Sequence, residues 1–217
     1  MRLEKASYKA VKFACLNFHY AKRIPTGANM SYAVFNDDGE FCGVIVYGYP
    51  ATPTIGKQLN LRNGEILELR RVALNSKQKI TSKALGISMR LIKKDCPSVK
   101  MLISYSDKGQ DHYGTIYQAT NWIYLGESQS SGNEYFCNGK WVHSRHGKGN
   151  IKRKLAGKRK YVYPLDKKLT MEYKLKHKPY PKKLSGVVES NADSQLEAER
   201  VTTTLTPHKN DANINKK

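Results

Sequence analysis

Apolar positions along this chain fall into short alternating runs, with one longer helical stripe among them. "SYAVFNDDGEFCGVIVYG" (31–48) holds two β-rich runs around Asp38-Gly39. That pair signals a hairpin, because its turn needs φ > 0. "EILELRRVALN" (65–75) alternates Ile66, Glu68 and Arg70 against Leu67, Leu69 and Arg71, then turns apolar at Val72-Ala73-Leu74. It reads as a strand with a buried end. In "KALGISMRLIKK" (83–94), Leu85, Met89 and Ile92 fall on one stripe and Ala84, Ile87 and Leu91 on an adjoining one. This predicts a helix with a broad apolar face, capped by Thr81 or Ser82 and packed on a sheet. "VKMLISYS" (99–106) is a continuous apolar run of the kind found at a sheet centre.

Beyond it, "SDKGQD" reads as a loop, "HYGTIYQAT" (112–120) as a short helix and "WIYLGES" (122–128) as a strand. "EYFCNGKWVH" (134–143) is a second hairpin, with Asn138-Gly139 at its turn. The order hairpin, strand, helix, strand, helix, strand, hairpin predicts an α+β fold: a mixed central sheet flanked by helices.

Charge changes the picture. The 217 residues carry a formal net charge of +20, which points to a polyanionic partner. More than half of it lies in residues 148–183, where 14 Lys+Arg meet 2 Asp+Glu. Within that stretch "GKRKYVYPLDKK" sets Tyr161 and Tyr163 among bases, a pattern suited to neutralising phosphates and stacking on bases or sugars. The competing reading is a solvated basic face with a short strand anchored by its tyrosines. From residue 185 the chain is polar, lacks aromatics and has no sustained periodicity, as a disordered tail does. The expected plan is a globular unit at 1–145, a basic DNA-binding extension at 146–184 and a tail at 185–217. Four scattered cysteines form no Cys-x-x-Cys pair. With no signal-peptide h-region and no apolar run of ~20 residues, a soluble, cytosolic protein is expected.

The element order resembles the acetyltransferase fold of the GNAT superfamily. There the unit corresponding to "ELRRVALNSKQKITSKALGISMRLIKK" holds a donor's pyrophosphate at a helix N-terminus, where unpaired N–H groups and the helix dipole favour phosphate. The resemblance makes Val72, Leu74, Lys79, Thr81, Ser82 and Lys83 the donor-binding candidates. Superfamily members usually carry two glycines in this turn; Lys79 and Thr81 stand near those places.

Six blocks, "ACLNFHYAKRIPTG", "ELRRVAL", "ISYSD", "GTIYQATNWIYLG", "GKWVH" and "GKRKYVYPLDK", look in this order like the Mom family of bacteriophage DNA-modifying proteins. That resemblance implies addition of a methylcarbamoyl (acetamido) group to adenine N6 in double-stranded DNA. The product would hide a phage genome in the host cytoplasm from restriction enzymes that read that amino group in the major groove. It also implies site residues. His19 would be a base or a ligand for iron, and Tyr20 would complete the pocket. Asp107 would accept a proton or orient the base, and Tyr117 would donate to a leaving group or to adenine; Ser88 and Ser104 are weaker additions. Tyr20, Tyr117 and Trp122 are candidates to hold an extruded base. Lys152, Arg153, Lys154, Lys158, Arg159 and Lys160 would grip DNA. The donor would be acetyl-CoA or another two-carbon unit, glycine-derived and carried even by a charged tRNA. For each residue the bland reading stands alongside: a packed histidine at 19, a loop cap at 107, a core tyrosine at 117. An ordinary N-acetyltransferase and a non-catalytic DNA-binding protein are the rival functions.

Overall fold

In a computed structural model, residues 1–52, 54–108, 113–128, 132–144, 147–154 and 157–182 are described. The chain opens with β1 (Arg2–Lys5), α1 (Tyr8–Asn17), β2 (Ala28–Phe35), β3 (Phe41–Gly48) and α2 (Thr54–Gln58). Then come β4 (Ile66–Leu74), α3 (Thr81–Asp95), β5 (Met101–Asp107), α4 (Thr115–Gln118) and β6 (Ile123–Glu127). Last are β7 (Asn133–Cys137), β8 (Lys140–His143), β9 (Lys152–Lys154), β10 (Lys158–Pro164) and α5 (Lys167–Lys174).

Both hairpins form where their turns demanded. Gly39 takes φ 81, and the Asn36 side-chain oxygen accepts from the N–H groups of Asp38 and Glu40. Asn138 and Gly139 both take positive φ, as a type I′ turn requires. Seven strands make one mixed sheet in the order β1-β2-β3-β4-β5-β10-β6, and β8-β7-β9 form a separate three-stranded ribbon. Both faces of the large sheet are covered, and period-two alternation shows how. Ile45 and Tyr47 of β3 pack with α3 residues Leu85, Met89 and Ile92, whereas Val44 and Val46 pack with α1. On β5, Leu102 joins the α3 side, while Met101 and Ile103 join α2 and α5.

Three expectations need correction. The α3 cap is Ile80, without a side-chain hydrogen bond; Thr81 and Ser82 are already helical. The short helix starts only at Thr115, because Gly114 before it is left-handed at φ 72, and ends at Gln118; His112, its expected start, lies outside the described residues. A Cβ on Gly114 would lie 2.5 Å from the Tyr161 ring and hydroxyl, so only glycine fits there. Lastly, the basic stretch is no appendage. Its β10 lies between β5 and β6, with Tyr161 and Val162 fully buried, and the compact unit runs Met1–Pro181. Apolar alternation at 161–164 outweighs the cations at 158–160, which sit at the strand's start. The tail expected at 185–217 lies outside the described residues.

Candidate active site

β4 and β5 are parallel neighbours, yet they pair only over Ile66↔Met101, Leu67↔Leu102 and Glu68↔Ile103. β4 runs on to Leu74 and β5 to Asp107, so the strands part and leave one edge of each unpaired by the other. At the fork, the Ser104 hydroxyl donates to the Leu69 carbonyl at 3.0 Å, replacing a ladder bond that the splay removes. Beyond the fork lies a cavity of ≈ 460 Å³ lined by Glu68 to Val72 of β4, Tyr105 to Asp107 of β5, Tyr113 to Tyr117, Phe18 to Tyr20, and Lys158.

This cavity gathers four of the catalytic candidates, His19, Tyr20, Asp107 and Tyr117, with Val72 of the donor set and Lys158 of the basic set. Ser104 stands just beneath, 2.9 Å from the Tyr117 hydroxyl. Ser104 has one proton, given to Leu69, so Tyr117 donates to Ser104 and its oxygen remains an acceptor. The expected donation from Tyr117 to a leaving group does not fit that arrangement. Burial pushes the Tyr117 hydroxyl up to about 12, against a smaller lowering by Ser104, so it stays neutral in the physiological range.

His19 and Tyr20 sit after α1, at the cavity's rim. Their rings stack with centroids 4.3 Å apart, and Tyr20 is 58% exposed, a platform open to a planar ligand. The Ala21 N–H donates to His19 Nδ1 at 3.1 Å, which places the neutral imidazole's proton on Nε2. In that tautomer the Nδ1 lone pair is engaged by the Ala21 N–H, so the expected role of base or iron ligand would require that bond to give way. Among the described residues, no three His, Cys, Asp or Glu side chains form a group that could hold a metal. The Tyr20 hydroxyl is raised by burial first and by Asp107 second, with Arg71 opposing, so these three groups share one electrostatic neighbourhood.

Two further cavity residues belong to the block "ELRRVAL", where their alternation marks only a strand. Glu68 marks the last β4–β5 pair, and its Oε2 accepts from the Ala51 N–H. Arg71 donates from Nη1 to the Arg70 carbonyl, while its buried Nε–H has no acceptor among the described residues. Arg71 lines the cavity, and a guanidinium there suits an anionic or carbonyl oxygen.

Other candidates lie elsewhere. Ser88 is fully buried, bonded to the Tyr47 hydroxyl and the Leu85 carbonyl, and belongs to the core. Trp122 is likewise fully buried, packed between Tyr117 and Tyr163, and cannot stack on an incoming base. Of the donor candidates, Val72 lines the cavity and Leu74 packs on the core. Thr81 accepts from Gln78, and Ser82 and Lys83 line a second groove beside α3. Lys79 takes φ 61 and Ser76 φ 71, so the turn keeps left-handed backbone without glycine. In the basic set, Lys152, Arg153, Lys154 and Lys158 are exposed. Arg159 is not: it is 8% exposed, with its guanidinium 4.6 Å from the Tyr113 ring centre. Lys160 is partly buried, and desolvation lowers its ammonium.

The model of the Mom protein family matches residues 1–182. The chain belongs to the Mom family. A Mom-family relative, the methylcarbamoylase Mom of Escherichia phage Mu, is 26% identical over 147 residues, 66% of this chain and 60% of that protein. The match therefore spans less than two thirds of the relative's length. A solved structure of a candidate phosphinothricin N-acetyltransferase superposes with a TM-score of 0.50 at 11% identity, over 76% of this chain and 99% of that one. This Mom-family chain thus has the GNAT-like fold that its element order suggested.

Proposed function

We propose that this Mom-family chain modifies adenine N6 in double-stranded phage DNA, adding a methylcarbamoyl (acetamido) group at the β4–β5 cleft. One observation carries the reading: the splay brings Asp107, Tyr117, Tyr20 and His19 around a single cavity with a cationic rim. Adenine N6 is a weak nucleophile and must shed a proton as its new bond forms. Asp107, at the end of β5, is the acceptor of that proton. The Tyr117 oxygen, held by Ser104, accepts from the amine's other hydrogen and orients it. The Tyr20–His19 stack receives the extruded base, because a base inside the duplex cannot reach such a cleft.

Geometry supports an acyl-CoA-type donor. The β4 edge beyond Glu68 lacks a β5 partner, which leaves backbone groups for an extended amide-bearing arm. The α3 N-terminus has no side-chain cap, and Lys79 and Lys83 flank it, as a pyrophosphate requires. Such a donor would supply the activated two-carbon unit, with the CoA thiolate as leaving group; acetyl transfer alone lacks the amide nitrogen of the product, which a second, amine-bearing co-reactant or a glycine-derived donor must bring. A glycine-derived donor, including one carried by tRNA, would meet the same Arg71 donor. Iron has no fitting ligand set among the described residues, and no step here depends on it. Among those residues no helix is long and apolar enough to cross a membrane, in keeping with work in the host cytoplasm.

The test is mass spectrometry of nucleosides from bacteria expressing this chain, against an empty vector. Deoxyadenosine heavier by one acetamido group in place of hydrogen is expected. Unmodified DNA, with folded chain present and phage lysate added, would leave a non-catalytic DNA-binding protein.

A further inference from the structure

The three-stranded ribbon takes no part in the cleft, yet it is built for contact. Phe136 of β7 stands opposite Trp141 of β8, and its N–H bonds the carbonyl of Ile151 just before β9, so the three side chains form one row across the ribbon. Phe136 is 40% and Ile151 60% exposed. Arg153 shares this face: its guanidinium lies 4.2 Å from the Trp141 ring and pairs with Glu134 at 2.8 Å. An Arg plane clamped on an aromatic ring beside exposed apolar side chains is a stacking surface.

Two features say what covers it. The ribbon is inserted between Ser128 and Lys158, whose backbones are bonded to each other, and Lys158 pairs with Asp107 at the cleft. Both ends of the ribbon therefore leave from the cleft rim. Its charge is one-sided as well: residues 132–154 hold six Lys+Arg and one Glu, and Lys152 and Lys154 sit on the edge strand β9, where a wall of phosphates would pass.

We propose that the Phe136–Trp141–Ile151 face of the ribbon enters a DNA groove beside the cleft and wedges between base steps, holding the duplex open while adenine is extruded. This rests on DNA being the substrate. The major groove admits two strands of a ribbon, so β7 with one neighbour can enter while the third strand stays at the groove wall, and apolar side chains inserted between base steps, as in minor-groove binders, unstack them. Phosphate contact and wedging are divided between the two faces, because Lys152 and Lys154 alternate with Arg153 along β9.

The test uses the full chain and a duplex carrying 2-aminopurine at several adenine positions, whose fluorescence rises on unstacking. Phe136→Ser with Ile151→Ser should bind within about threefold of wild type, since the phosphate contacts remain. It should lose most of the fluorescence rise and at least about tenfold in modification rate, with partial rescue on a duplex mismatched at adenine, where extrusion is easier. Lys152→Gln with Lys154→Gln should do the reverse: weaker binding, with unstacking retained at saturation. Ile151→Ser alone, on the edge strand, repeats the test with less disturbance. A double variant that unstacks and modifies as wild type does would overturn the wedge. So would one that loses affinity and unstacking by the same factor, or whose change is only in oligomeric state. A wild-type chain that neither binds nor modifies duplex DNA would instead overturn the substrate reading and the wedge with it.

Discussion

Asp107 and Tyr117 line one cavity, but their surroundings assign them different work. Asp107→Asn keeps the shape and removes the proposed proton acceptor, so modification should fall by about 10²–10⁴-fold with DNA affinity nearly unchanged. Tyr117→Phe removes an acceptor and the Ser104 bond, so it should slow modification and also cost about 1 kcal/mol of stability, read from denaturant melts. The tyrosine also sets a pH signature. Tyr105, Tyr117 and Tyr161 are each pushed up to about 12 by burial, from an ordinary value of 10.0. The unfolded chain releases these protons first, so their contribution is complete below pH 10 and is lost as pH climbs from 10 towards 12. Thermal melts should fall steeply in that window. Tyr117→Phe should flatten the fall, because each tenfold difference in proton affinity between folded and unfolded chain is worth about 1.4 kcal/mol.

At the level of elements, the hairpins and the α3 stripe were legible because Asp-Gly, Asn-Gly and helical spacing act locally. β10 was not. Lys158, Arg159 and Lys160 mask the alternation of Tyr161, Val162 and Tyr163, and only the antiparallel partners on both sides make it a central strand. The helix before the cleft was read too long because Gly114 acts through its contact with Tyr161, far along the chain. Gly114→Ala forces a left-handed alanine against that ring. It should cost about 1–2 kcal/mol for the backbone alone and more for the clash, lowering the melting temperature together with activity. Site legibility divides the same way. His19, Tyr20, Asp107 and Tyr117 are polar or aromatic residues of the family blocks, whereas Glu68 and Arg71, inside the block "ELRRVAL", read as strand alternation and gain meaning only where β4 and β5 part. Ser88 failed because one helical face cannot show, from spacing, which of its residues meets a cavity and which meets Tyr47.

For the whole molecule, the charge of +20 is a statement about partners, and the fold distributes it. Lys158 at the cleft rim and Lys152, Arg153 and Lys154 on the ribbon remain exposed, whereas Arg159 and Lys160 are drawn into the sheet. Neutralising Lys152 and Lys154 should therefore weaken DNA binding across sequences and reduce the salt slope by about 0.9 for each phosphate that is no longer neutralised. Arg159→Gln should act mainly on stability.

Chemistry at the splay cleft, not DNA binding alone, is the task proposed for this chain. Its most direct measurement is DNA affinity and nucleoside mass in one preparation, wild type against Asp107→Asn. Modified deoxyadenosine with wild type and none with Asp107→Asn, at equal affinity, is the predicted result. Equal modification by both chains would contradict it.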